Sequence, residues 1–361
     1  MLTYKRKLIL TKSQQIRIDN WIGTCRFVYN MALEIRIEAW KNKQESVGKF
    51  ELMKQLTTIK NIDWIADVPA QSLQNVIERL DNSYNRFFKG AGFPKWANKR
   101  YYKSILFKQN SGIIKLSVNN INLPKIGKVK MFKDAHIMGN IKAATIKKEL
   151  TGYFITIVTD VVKDIQNKDE NQVIGLDMGL SHFCIDSNGN FIANPKHFKK
   201  YERQLRIENR SLVRKKKGSN SWKRQCKKLS LLHHKIANIR KDFLHKESTK
   251  IAKNFHTVYI EDLNVSGMSK NGNLSKHILD AGWGMFGEMI AYKTNCVKVN
   301  ARHTSQTCNK CGYVDAKNRI SQSLFICLKC GNEDNADFNA AKNIEGKGIT
   351  LDRQREAIVR A

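Results

Sequence analysis

The stretch Val173-Ile174-Gly175-Leu176-Asp177-Met178-Gly179 sets one carboxylate inside an apolar run of strand length. Short apolar runs bounded by glycine read as buried strands. A carboxylate in such a run is costly unless it is paired or bound to a metal. His182–Asp186 reads as a second strand, turning at Ser187-Asn188-Gly189. Further on, Val258-Tyr259-Ile260 is a third strand and closes on Glu261-Asp262. A helix through Met285–Tyr292 and a strand at Val297–Asn300 follow, and Asp337 opens the helix-like run Ala336–Ala341. Strands alternating with helices indicate an α/β domain. Asp177, Glu261 and Asp337 thus come from separated segments. Gathered together they would repel one another, and divalent cations relieve that repulsion. Mg²⁺ held by such a set activates water against a phosphodiester, and Mn²⁺ suits the same oxygens. A lone Asp or Glu is more often a cap or an ion-pair partner; the strand placement sets Asp177 apart.

Of the eight cysteines, Cys25, Cys184, Cys226 and Cys296 are scattered singly, which is no disulfide framework. The other four form Cys308-x-x-Cys311, a gap of 15 residues, and Cys327-x-x-Cys330. Each C-x-x-C turn directs two thiolates at one tetrahedral centre, and the spacing suits a zinc ribbon. Gly312 and Gly331 follow the second cysteine of each pair, where a tight turn favours glycine. Four thiolates leave no open position, so this zinc is structural.

Lys and Arg total 64 against 32 Asp and Glu, a formal net charge of +32. Self-repulsion of that size points to a polyanionic partner, and nucleic acid fits best. Residues 199–241 hold 16 Lys and Arg against two Glu, with Lys215–Asn220 as the bend of a helical hairpin. Arg214, Lys215, Lys216, Lys217, Lys223, Arg224, Lys227 and Lys228 are the candidate phosphate contacts there. Lys95, Trp96 and Arg100 interleave base and aromatic after the Gly90–Pro94 break, a pattern suited to single strands. No apolar run reaches bilayer length and no signal-peptide h-region is present, so a cytosolic, nucleoid-associated protein with no membrane role is expected. No P-loop, His-Glu-x-x-His or His-hydrophobic-His pair occurs.

Towards the N-terminus, residues 2–10 read as a strand, and Thr11 with Gln14 as a capping box. Ile18, Trp21, Ile22, Cys25, Tyr29, Ala32 and Leu33 form one helical stripe, read as core. Helices follow at Phe50–Ile59 and Gln71–Phe88. From Ile105 to Val162 the pattern is β, with runs such as Ile113–Val118 and Tyr153–Thr159. The expected modules are a small β-barrel (1–12 and 103–165), a helical module (13–102), a nuclease domain (170–344, with the basic hairpin at 199–250 and the zinc ribbon at 304–333) and a tail (345–361). Asp164–Glu170 reads as a linker.

Ile174–Leu180, Val258–Asn264, Thr304–Cys308 and Asn335–Ala341 resemble the corresponding segments of the TnpB (OrfB) proteins of insertion sequences, as do Asp280–Gly284 and Ile236–Phe243. The likeness is specific over 171–343 and looser before it. It implies an RNase H-like (RuvC) nuclease domain with an inserted zinc ribbon, an N-terminal helical recognition module and a wedge-like β-barrel. It further implies RNA-guided cleavage of DNA, with Asp177, Glu261 and Asp337 as the acidic set and base pairing supplying specificity. Guide RNA, double- and single-stranded target DNA and a monomeric state are the expected partners and form. Asn332 stands where many relatives carry His, and the residues after Ile344 are unlike theirs. Two other readings are a nuclease-inactive, guide-dependent repressor and a strand-transfer transposase of the DDE type. The intact acidic set argues against the first, and the ribbon placement against the second.

Overall fold

The computed structural model describes residues 1–108, 114–132, 136–161, 169, 171–268, 270 and 275–360. The chain divides into two compact units, Met1–Lys163 and Asp164–Ala361.

In the first unit, β1 (Thr3–Ile9) leads into α1 (Lys12–Lys43), α2 (Lys49–Ile59), α3 (Asp63–Ala66) and α4 (Ala70–Phe88). The strands β2 (Ser104–Lys108), β3 (Lys115–Ser117), β4 (Asn120–Leu123), β5 (Gly127–Met131), β6 (Ile141–Glu149) and β7 (Gly152–Thr159) follow. The capping box is formed: Thr11 accepts from the Gln14 backbone N–H, and the Gln14 side chain accepts from the Thr11 N–H. The strands make one antiparallel sheet in the order β2-β6-β7-β1-β5-β4-β3. β1 lies in its interior, pairing Thr3 with Val158 on one side and Leu8 with Met131 on the other. The apolar stripe of α1 and the inward residues of the strands share one hydrophobic core, from Trp21 and Leu33 to Ile146 and Ile157. The helical and β segments of this unit are therefore packed as one body. The run expected at Ile113–Val118 is a shorter strand, β3, and Ile113 lies outside the described residues. So does the expected linker 164–170, apart from Asp169.

The second unit contains β8 (Val173–Met178), β9 (His182–Asp186), β10 (Phe191–Ala193), α5 (His197–Val213), α6 (Asn220–Asn254) and β11 (Thr257–Glu261). It continues through α7 (Val265–Met268), α8 (Ser275–Ala281), α9 (Trp283–Ala291), β12 (Asn295–Val299), β13 (Leu324–Ile326), β14 (Glu333–Asn335) and α10 (Ala336–Arg360). Its main sheet is mixed, in the order β10-β9-β8-β11-β12. β8, β11 and β12 run parallel, while β9 is antiparallel to β8.

Alternation along the strands sorts the two faces of this sheet. Ile174, Leu176 and Met178 join Val258 and Ile260 in a core with Leu244 and Ile251 of α6 and Phe286 and Ile290 of α9. Tyr259 and Val297 face the other way, onto Ile344 of α10. The backbone of α10 lies against Gly175, where a Cβ would stand 2.3 Å from the Ala341 carbonyl oxygen. One further point of close approach is Gly348, whose Cβ would fall 2.1 Å from the Tyr259 ring. The expected boundary at 345 is not a structural one: α10 continues without a break to Arg360, because Ile344, Ile349 and Leu351 share one apolar cluster with β11 and β12.

Candidate active site and metal centre

Asp177 and Glu261 share the sheet face on which α10 lies, and the reason is register. The β8–β11 ladder ends with Leu176 opposite Ile260, so the next residue of each strand, Asp177 and Glu261, stands at its C-terminal end. Asp337 is in the first turn of α10, over the same end. Asn335 caps that turn, its side chain accepting from the Asp337 and Phe338 backbone N–H groups at 3.0 and 3.1 Å.

Asp177 feels the other two carboxylates. Burial, then the charges of Glu261 and Asp337, push the Asp177 carboxyl up to about 7, while Arg319 opposes the shift. Burial also raises Glu261, against the pull of a Thr304 hydrogen bond and the Lys347 and Arg319 charges. Thr304 Oγ1 donates to Glu261 Oε1 at 2.5 Å, and Arg319 Nη2 donates to Asp337 Oδ1 at 2.8 Å. Each outer carboxylate is thus held by its own donor. Among the described residues, the four cysteines are the group of three or more ligands whose donor atoms all lie within 4.8 Å; the carboxylates stand wider.

Cys308, Cys311, Cys327 and Cys330 come from two turns with one hydrogen-bond pattern. Gly312 N–H donates to the Cys308 carbonyl and Gly331 N–H to the Cys327 carbonyl, each at 2.9 Å. Both glycines have positive φ, +74° and +67°, as the tight turn requires. The Sγ atoms of Cys308 and Cys330 are 3.7 Å apart and those of Cys311 and Cys327 3.5 Å. A tetrahedral zinc with Zn–S bonds of about 2.3 Å separates its sulfurs by about 3.8 Å, so the donor set fits that ion. Asn332 contributes only backbone here, its carbonyl accepting from the Cys327 N–H.

The ribbon is bolted to α10. Asn339 and Asn343, one turn apart, donate to the Thr307 carbonyl at 2.8 and 2.6 Å, and Asn343 also reaches the Thr304 carbonyl. Thr304 and Arg319, at the start and in the middle of the ribbon, are site residues that carboxylate and cysteine patterns alone do not reveal. Thr304 sits in a segment that stands out in the sequence, Thr304–Cys308. Arg319 has no local signal, since one arginine in so basic a chain is unremarkable.

The basic candidates lie elsewhere. Lys216, Lys217, Lys223, Arg224, Lys227 and Arg214 are exposed on the α5–α6 hairpin. Lys215 is half-buried against Ser211, and Lys228 pairs with the buried Glu208 at 2.8 Å, which occupies part of its charge. Arg206, Arg210 and Lys276, outside the candidate set, line a groove with Arg214. In the first unit, Lys95, Trp96 and Arg100 are all exposed. No described helix is long and apolar enough to cross a membrane.

Comparison with known proteins matches three family models: one described as "Probable transposase" (OrfB of IS605) over residues 156–272, the Cas12f1-like TNB domain over 283–344, and an OrfB "Helix-turn-helix domain" over 1–45. Residues 1–45 here form β1 and one continuous helix, α1, rather than two helices about a turn. The protein named "Putative RNA-guided DNA endonuclease InsQ" of Escherichia coli is 32% identical, over 93% of this chain and 89% of its own. A Streptomyces pristinaespiralis protein named "Putative RNA-guided DNA endonuclease" is 28% identical over 96% and 89%. The solved structure of a mini-RNA-guided endonuclease, CRISPR-Cas_phi3, shares the fold with a TM-score of 0.52 at 10% identity, covering 96% of this chain and 92% of that one. By extent of match and by the segments that carry it, the chain belongs to the TnpB (OrfB) family of insertion-sequence proteins.

Proposed function

We propose that this protein is an RNA-guided DNA endonuclease whose RuvC-type, RNase H-like domain hydrolyses phosphodiesters at Asp177, Glu261 and Asp337. The observation that carries the reading is the placement of Asp177 and Glu261 at the C-terminal ends of adjacent parallel strands with Asp337 in the first turn of α10; burial and the charges of Glu261 and Asp337 raise the Asp177 carboxyl there. Such a cluster is stable in its charged form only with cations. Two Mg²⁺ bound by these oxygens would supply an activated water and neutralise the leaving oxygen of the cleaved strand. The strand order β10-β9-β8-β11-β12, with β9 alone antiparallel inside the sheet, supports the RNase H-like assignment.

The chain's own residues supply the rest. Thr304 fixes the rotamer of Glu261, and Arg319 holds Asp337 while presenting its remaining N–H groups to a phosphate. The zinc ribbon acts as the frame that carries both. The exposed cations of the α5–α6 hairpin and Lys95, Trp96 and Arg100 of the first unit contact guide RNA and target DNA, partners named for the relatives. The first unit houses the helical recognition and β modules, and the protein works as a monomer. The test is to sequence RNA that co-purifies with the protein expressed beside its flanking DNA. One discrete species extending past the element's end is the expected result; random cellular RNA would overturn the guided reading.

A further inference from the structure

The turn after β12, residues 300–304, carries Thr304, the donor that holds Glu261. Within it His303 has a φ of +62°, a left-handed conformation that few residues other than glycine adopt. A segment held in that region persists where its surroundings fix it from several sides. Here α10 does so. Asn343 donates to the Thr304 carbonyl at 2.9 Å. One turn further along the helix, Lys347 Nζ donates to the Arg302 carbonyl at 2.5 Å and to the Asn300 carbonyl at 3.4 Å. The ammonium thus grips the carbonyls on both sides of Ala301.

The position of Ala301 matters because the Thr304 hydroxyl carries one proton and has two acceptors within reach. Glu261 Oε1 lies at 2.5 Å and the Ala301 carbonyl at 2.9 Å. Thr304 is only 3% exposed, so the two acceptors compete with little help from bulk water. Where the Ala301 carbonyl stands decides which of them takes the proton. Lys347 is itself half-buried, and its charge acts on Glu261. It shares α10 with Asp337, so one helix carries a carboxylate of the acidic set and the clamp behind another.

We propose that Lys347 is a positioning residue for cleavage, locking residues 300–304 so that the Thr304 proton goes to Glu261 and fixes that carboxylate for metal binding. The inference rests on the nuclease reading above. A lysine that only lent its charge would act with the opposite sign. Removing a positive charge beside a carboxylate strengthens its hold on a divalent cation; removing its positioning weakens that hold.

The test uses the full, zinc-loaded chain with its co-purified RNA and matched DNA, enzyme in excess, over a range of Mg²⁺ concentrations. Lys347→Met keeps the length and loses the donor. It should slow cleavage about tenfold and raise the Mg²⁺ concentration for half-maximal rate about fivefold. DNA affinity should stay within about twofold and the melting midpoint within a few degrees. Lys347→Arg, which can donate to the same carbonyls, should recover the rate to within about threefold. Thr304→Val should resemble Lys347→Met, and combining the two should add little. Wild-type rates in Lys347→Met, a lower Mg²⁺ requirement, or effects that multiply in the double variant would each overturn the positioning role while leaving the nuclease standing. Should Lys347→Met not fold, Lys347→Gln, too short to reach both carbonyls, takes its place. If the wild type cuts no matched DNA, the nuclease reading fails, and Mn²⁺ binding, read from the paramagnetic resonance of the free ion, decides the role. Binding several-fold weaker in Lys347→Met and restored in Lys347→Arg supports it; equal or tighter binding in Lys347→Met overturns it.

Discussion

Gly175 of β8 and Ala341 of α10 meet backbone to backbone: a Cβ on Gly175 would lie 2.3 Å from the Ala341 carbonyl oxygen. Neither partner is a flexible side chain that can swing away. The contact sets how closely α10 lies on the sheet, and so where Asp337, one turn further towards the N-terminus, stands relative to Asp177. Gly175→Ala should therefore lower the thermal midpoint and cleavage together. Overpacking of this kind costs about 1–3 kcal/mol, and cleavage should fall at least tenfold. Thermal melts and cleavage rates of the purified variant check both, and a variant as stable and active as wild type would contradict the packing argument.

Asp177 gives a prediction with a sign. Its carboxyl is raised to about 7 by burial first and then by Glu261 and Asp337, from about 3.9 in an unfolded chain. Between those values the folded chain binds the proton and the unfolded chain does not. The group's contribution is therefore fully present below about pH 4 and is lost as pH rises through about 7. Asn mimics the neutral form, so Asp177→Asn should melt a few degrees higher than wild type at pH 8 without added Mg²⁺, and equally at pH 4. Mg²⁺ should raise the wild-type midpoint and leave the variant's nearly unchanged. Melts at the two pH values, with zinc retained, make the comparison.

Cys311→Ser should release zinc, measured as bound metal per chain falling from one towards zero. Because the ribbon carries Thr304 and Arg319 to Glu261 and Asp337, cleavage should drop at least tenfold even with Mg²⁺ saturating. Unchanged cleavage in a zinc-free variant would show that the ribbon does not position the acidic set.

On the α5–α6 hairpin, replacing the exposed Lys216, Lys217, Lys223 and Arg224 by Gln should weaken nucleic-acid binding and flatten its salt dependence. For every phosphate that a removed cation had neutralised, the slope of log K against log salt falls by about 0.7–0.9. Lys228→Gln should change the slope less, since its charge is already engaged by Glu208. Binding titrations at several salt concentrations separate the two.

Much of the second unit is legible in the sequence because its signals are local. An apolar strand closing on a carboxylate, two C-x-x-C turns each followed by glycine, and a helix-like run opened by Asp337 each announce themselves within a few residues. The partners of those residues are not legible. Arg319 lies 18 residues from Asp337 and Thr304 lies 43 from Glu261, so only the folded chain brings them together. The same applies to α10, expected to give way to a tail at 345. Gly346 and Gly348 weaken helix propensity there, yet packing of Ile344, Ile349 and Leu351 against β11 and β12 carries the helix through. In the first unit the apolar stripe of α1 is plain in sequence, while the interior place of β1 in the sheet depends on pairing with strands more than 120 residues away.

The central claim is tested most directly by the cleavage of DNA matched to the co-purified RNA, comparing wild type with Asp177→Ala. The account predicts Mg²⁺-dependent cutting by the wild type, and a drop of at least a thousandfold in the variant with nucleic-acid affinity within about twofold. A variant that cuts at the wild-type rate would contradict the assignment of the three carboxylates as the catalytic set.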